Sequence, residues 1–161
     1  MNPIVYPQVP GDGGVFQTVQ KMKGLVNQSF LHPYIRERAA SIVQNCERNR
    51  TCEEQGLIGY VRTRVQYLRD PSGVEALHDP VTFYENRLRA AALVFGDCDD
   101  LSTYLATLLK SIGHPPLFRI LSRTGNSFHH VHVVCHGNFL DPTMELGKFP
   151  REATRAIQIK I

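Results

Sequence analysis

No stretch of this chain approaches the roughly 20 consecutive apolar residues that a membrane-spanning helix requires. The opening residues, MNPIVYPQVPGDGG, scatter proline and glycine where an export signal would need an unbroken apolar run, so a cytoplasmic protein without membrane contact is expected. Charge of one sign is also missing. Eighteen basic residues face 15 acidic ones for a net charge of +3, with no block of like sign, which gives nucleic acid no electrostatic footing. Cysteine is scarce: Cys46, Cys52, Cys98 and Cys135. Without an export signal these four do not suggest a disulfide framework, and at least one is left for chemistry. Internal repeats and low-complexity segments are absent.

The 161 residues, 42% of them hydrophobic, suffice for one core and are too few for two. A single domain is expected. Residues 1–14 form a flexible arm, 15–50 a helical N-terminal part, and 51–161 the rest of the fold. Val15, Val19, Met22 and Val26 make one helical stripe; Ile35, Ala39, Ile42 and Val43 make a second, which Pro33 is suited to open. A third helix is predicted over about 53–68, with Leu57, Ile58, Val61, Val65 and Leu68 inward and its arginines, Arg62 to Arg69, on a solvated face. Turn chemistry at Asp70-Pro71-Ser72-Gly73 ends it, and a short helix over about 80–92 follows.

The strongest pattern is Leu101, Tyr104, Leu105, Leu108, Leu109 and Ile112, closed by Gly113 and the prolines beyond it. After this buried helix come three short strands, 117–121, 128–135 and 139–141, separated by turns at 123–126 and 136–138. Helices followed by an antiparallel meander give an α+β fold, with the sheet packed on the long helix.

Gly96-Asp97-Cys98-Asp99-Asp100 stands where that helix begins. Asp97 is placed as N-cap, with Asp100 at capping-box spacing, and Cys98 falls in the first turn. Free backbone N–H groups there favour a thiolate and could hold an oxyanion. The flanking carboxylates oppose a further negative charge, so a cationic partner is needed, and histidine both stabilises a thiolate and protonates a leaving group. In His129-His130-Val131-His132-Val133-Val134-Cys135, alternation puts His130 and His132 on one face. Asp141 on the next strand could orient either imidazole. The pattern alone leaves the choice of histidine open.

These residues resemble a known family. Gly96-Asp97-Cys98-Asp99-Asp100 opening a helix with Leu108-Leu109 and Ile112-Gly113, then His130-Val131-His132-Val133, then Leu140-Asp141-Pro142-Thr143, is similar to the transglutaminase-like cysteine enzyme superfamily. Val61-Arg62 through Tyr67-Leu68-Arg69-Asp70-Pro71 is similar to the segment preceding the cysteine in bacteriophage and prophage members, and bacterial transglutaminase-like proteinases share the Gly-Asp-Cys-acid-Asp signature. The resemblance implies a papain-like α+β core within 51–161. It also implies Cys98 as nucleophile, His130 as base because it holds the first place of His-Val-x-Val, and Asp141 as orienter. No cofactor is required, though in some bacterial proteinases acidic residues near the cysteine help bind calcium, and Asp97 and Asp99 match those positions loosely. The chain has no tryptophan, so the aromatic oxyanion donor of cross-linking members has no direct counterpart; Tyr67 is the nearest substitute.

The function expected is thiol-dependent acyl transfer: hydrolysis of an amide, peptide or isopeptide bond in a protein or peptide substrate, with amine-dependent transglutamination as a variant. The competing reading is a catalytically silent phage virion or assembly component that binds virion proteins. A metal reading uses histidines on alternate strand positions, either His129, His132 and His136 with Cys135, or His130 and His132 with Cys98. No second ligand cluster of diagnostic spacing supports it, so no metal site is assigned. Cys46 and Cys52, too far apart for Cys-x-x-Cys, are expected to pack at a helix junction, with a disulfide as the alternative.

Overall fold

The computed structural model describes residues 3–144 and 153–161. Its α+β architecture is organised around one helix. Strand β1 (Ile4–Pro7) comes first, followed by helices α1 (Asp12–Ser29), α2 (Pro33–Val43) and α3 (Arg50–Arg64), then strands β2 (Gln66–Tyr67) and β3 (Val74–Leu77). A wide π-helical turn (Pro80–Glu85) runs into the short α4 (Asn86–Arg89) and β4 (Phe95–Gly96). The central helix α5 (Cys98–Ser111) leads to β5 (Leu117–Ser122), β6 (His130–Cys135), β7 (Asn138–Leu140) and β8 (Arg155–Lys160). Strands β5 to β8 form one antiparallel sheet in the order β7-β6-β5-β8.

Helix α5 packs against α1, α2 and α3 on one side and β6 on the other. The apolar stripe Leu101, Tyr104, Leu105, Leu108 and Leu109 is fully buried, and so are Ser102, Thr103 and Thr107 on the opposite face. Those hydroxyls would be costly to bury without partners. Ser102 donates to the Val131 carbonyl at 3.2 Å and Thr107 back to the Thr103 carbonyl at 2.7 Å. At mid-helix the Tyr104 hydroxyl meets Glu85 at 2.5 Å, and Glu85, itself fully buried, pairs with Arg38 at 3.3 Å. Inner residues of the other helices follow the expected stripes: Val19, Met22 and Val26; Ile35 and Ala39; Leu57, Ile58, Val61 and Val65.

Several expectations need correction. The N-terminal arm is not without structure: Ile4–Pro7 forms β1, paired antiparallel to β3 with Tyr6 opposite Glu75, and α1 begins at Asp12. Backbone pairing supplied by a distant segment overrides the local Pro and Gly signals. Helix α3 stops at Arg64, because Gln66–Tyr67 leaves the helix to pair in parallel with β4, and Leu68 is exposed. Arg62 is not simply solvated, since its guanidinium donates to the Asp141 carbonyl at 2.7 Å. Cys46 and Cys52 form a disulfide across the α2–α3 junction, leaving Cys98 and Cys135 as free thiols. Such bonds persist in oxidising compartments, so the pair lends no support to a cytoplasmic location. Among the described residues, no helix is long and apolar enough to cross a membrane.

Because α5 is enclosed on every side, truncating Leu105 leaves a cavity that its neighbours cannot close. Leu105→Ala is expected to lower stability by roughly 2–5 kcal/mol, measured as a shift in urea midpoint with unchanged slope.

Candidate active site

The start of α5 is fixed by three local contacts. Asp97, in extended backbone, accepts from the Asp99 N–H at 3.3 Å and caps the helix. Asp100 does not close the expected capping box. It turns inward and accepts from the His78 backbone N–H at 2.8 Å and faces His78 Nδ1 at 2.7 Å. Gly96 is required just before the cap, since a Cβ there would lie 2.7 Å from the Asp100 Cβ and 2.5 Å from the Tyr84 hydroxyl. Cys98 is thereby held at the first helical position, half-buried, at the wall of a cavity of about 740 Å³.

Strand β6 delivers the imidazoles to the same region. His130 lines the cavity with Cys98, whereas His132 is fully buried behind it. Both point toward Asp141, as alternation predicts, but unequally: His130 Nε2 lies 2.6 Å from Asp141 Oδ2 and His132 Nδ1 lies 4.0 Å from the same oxygen. The geometry thus pairs His130 with Asp141, a choice that strand alternation left open. His132 reaches only Arg119, at 3.5 Å, and burial pushes its pKa down to about 4, so it is neutral at pH 7. Asp141 also accepts from the Thr143 N–H at 3.0 Å and hydroxyl at 2.7 Å, so the turn role and the orienting role coexist. Burial works to raise the Asp141 pKa, but hydrogen bonds from His130 and Thr143 outweigh it and hold the carboxyl below its ordinary value. An anionic carboxylate can only accept, so His130 donates from Nε2, and the neutral form of the ring has its lone pair on Nδ1.

The Cys98 thiol is not the low-pKa group that its position at a helix start suggests. Burial is the main cause, and the Asp141 and Glu75 carboxylates add to it, pushing the thiol up to about 11 against the lowering effect of backbone hydrogen bonds at Val131 and at Cys98 itself. Desolvation and like charge outweigh the helix dipole here. Contact with the backbone of Val131, the residue after His130, brings the sulfur beside β6.

Acidic residues crowd the same cavity. Asp70, Glu75, Asp97 and Asp99 all line it, and one oxygen each from Asp70, Glu75 and Asp97 lie within 4.8 Å of one another. Glu75 hydrogen-bonds Asp99; burial, then that contact, pushes Glu75 up to about 9, and burial raises Asp99 to about 6. Asp99 Oδ1 is buried with no hydrogen-bond partner. An all-oxygen donor set with an orphaned carboxylate oxygen fits a hard cation such as calcium. The sequence pointed only to Asp97 and Asp99, because Asp70 and Glu75 arrive from the β2–β3 turn and β3.

No protein-family profile and no curated protein matches this chain. A solved structure does: the crystal structure of a "putative protease" from Parabacteroides distasonis superposes with a TM-score of 0.54 at 11% identity, over 83% of this chain and 27% of that one. The likeness carries the fold alone. This chain spans about a quarter of that protein's length.

With its thiol held neutral, Cys98 is expected to alkylate slowly at pH 7 and to accelerate with pH well beyond the 8.5 of a free cysteine. Asp141→Asn, which removes a negative charge, moves that profile downward. Iodoacetamide labelling followed by peptide mass checks both; a rate plateau below pH 7 in the parent contradicts the raised thiol.

Proposed function

We propose that the chain is a cysteine acyl-transfer enzyme of the transglutaminase-like, papain-fold type, hydrolysing an amide, peptide or isopeptide bond in a protein or peptide. The observation that carries this reading is the 2.6 Å contact between His130 Nε2 and Asp141, which leaves Nδ1 as a base in the cavity that Cys98 also lines. The protease description of the distant structural neighbour agrees with it at the level of enzyme class.

With the thiol up at about 11, the resting state is a neutral thiol rather than a thiolate–imidazolium pair. Attack then proceeds by general-base catalysis. As Sγ bonds the carbonyl carbon, His130 Nδ1 takes the thiol proton, and the resulting imidazolium is stabilised by the Asp141 carboxylate. Backbone N–H groups at the start of α5 face the developing oxyanion. When the C–N bond breaks, the imidazolium returns its proton to the departing amine, leaving a thioester on Cys98. Water, deprotonated at the same nitrogen, releases the acid and restores the thiol. Arg62, by holding the Asp141 carbonyl, positions the carboxylate rather than taking part. Transfer to an amine in place of water is the variant, with exposed Tyr67 among the aromatics that line the cavity.

Asp70, Glu75, Asp97 and Asp99 would hold calcium, which when bound neutralises the negative field beside the thiol. Without a cation, a proton on Glu75 bridges it to Asp99, since burial raises both carboxyls and Glu75 the further.

The second reading, a silent virion or assembly component acting by binding, is favoured by the high thiol pKa. A peptide bearing a thiol-directed electrophile separates the two: specific labelling of Cys98, falling about 10²–10⁴-fold in His130→Ala, supports the enzyme, and labelling indifferent to His130 supports the binding component. Calcium has its own measurement. Millimolar calcium chloride is expected to raise the Tm of the parent and not that of Glu75→Gln, read by scanning calorimetry.

A further inference from the structure

A second cluster of metal-ligating side chains lies at the far end of β6, five residues and about 17 Å from His130 at the ordinary strand rise. One ligand atom each from His114, Cys135 and His136 lie within 4.8 Å of one another. His114 Nδ1 faces His136 Nε2 at 2.9 Å, while His114 Nε2 contacts Glu53 Oε2 at 2.8 Å. Glu54 on α3 is fully buried; Asn138 holds its Oε2 at 2.6 Å, and its Oε1 has no partner.

The backbone fixes each member. His114 follows Gly113, whose φ of 93° ends α5, and its N–H donates to the Leu109 carbonyl at 3.1 Å. Cys135 is the last residue of β6 and is buried. His136 and Gly137 form the two-residue turn to β7 with φ of 47° and 85°, the left-handed pair that such hairpins need. Two imidazole nitrogens pointed at each other can satisfy only one acceptor, and only if the other is protonated. Cys135 abuts the Glu54 carboxylate. Two imidazoles, a thiol and a carboxylate with an unpartnered buried oxygen are therefore gathered at one end of β6.

We propose that His114, Cys135, His136 and Glu54 bind a borderline-soft divalent transition ion, zinc above all, separate from the cavity of Cys98. Nitrogen, sulfur and carboxylate donors in a set of four are the zinc pattern. The two histidine nitrogens need to separate only from 2.9 Å to about 3.3 Å, the spacing of tetrahedral ligands at about 2.0 Å from a metal. Glu53 on His114 Nε2 supplies the outer carboxylate that aims a ligating imidazole. Exposure of His136 gives the ion its way in. Bound there, the ion joins α3, the end of α5 and the β6–β7 turn.

Cobalt(II) tests this in the Cys98→Ser protein without reductant, where Cys135 is the sole free thiol. One equivalent of cobalt should give a thiolate-to-metal charge-transfer band in the near ultraviolet, displaced by one equivalent of zinc. His136→Ala should weaken binding at least tenfold, and Cys135→Ser should remove the band. Calcium-type oxygen sites give no such band. In the parent, zinc should also raise the Tm, an independent readout if a variant folds poorly. No band and no Tm rise, or a band unchanged in His136→Ala, overturns the site.

Discussion

Burial of helix α5 from Asp99 to Leu109 is the constraint on which the rest depends. A helix buried this far must find internal partners for its polar groups, and this one begins with three carboxylates and carries hydroxyls along its length; most are partnered, while Asp99 Oδ1 and Thr103 Oγ1 are not. The solution differs by position. Asp97 caps the helix, Asp100 engages His78, Ser102 ties the helix to β6, and Asp99 turns to Glu75 on the strand that the N-terminal arm completes. The cavity beside Cys98 is bordered by these arrangements, so the packing of the core and the electrostatics of the thiol are one problem.

That coupling explains the thiol. A helix start in solvent would draw the cysteine toward the thiolate. Here the same helix start is buried among carboxylates, and the sign reverses. Under the proposed mechanism, such a thiol rests neutral, and His130, donating from Nε2 to Asp141, moves charge only when a carbonyl is in place. Low background reactivity of the resting thiol follows from the same burial that stabilises the fold.

Much of this was legible in the sequence where one local rule dominates. The stripe from Leu101 to Ile112 specifies a helix, and Gly113 specifies its end. Alternation along 129–135 puts His130 and His132 on one face, and the turn at 136–138 returns Asp141 to that face. The elements that escaped are those defined by partners far away in the chain. Ile4–Pro7 becomes a strand only because β3 lies beside it, and β8 pairs with β5 across a span of more than thirty residues. Arg62 has the same pattern as its solvated neighbours and differs only in what stands opposite. Glu75 and Asp70, flanking a turn, carry no signal that they will face Cys98. Glu54 and His114 are hidden for the same reason, being far from Cys135 in sequence and joined to it only by the packing of α3 and α5.

The turn at His136-Gly137 sets a rule for tolerated change in chain length. Cys135 pairs with Asn138 and Val133 with Leu140, so the two-residue turn alone decides that Asp141, just past β7, arrives beside His132 on the face that also carries His130. Adding or removing a single residue there would rotate β7 by one step and send the Asp141 side chain to the other face of the sheet. The connection from β5 to β6 is different: its ends, Arg123, Phe128 and His129, line the cavity, while residues 124–127 between them are exposed. Insertions, tags or grafted peptides belong in that longer connection, and in the hairpin a length change is equivalent to deleting the carboxylate.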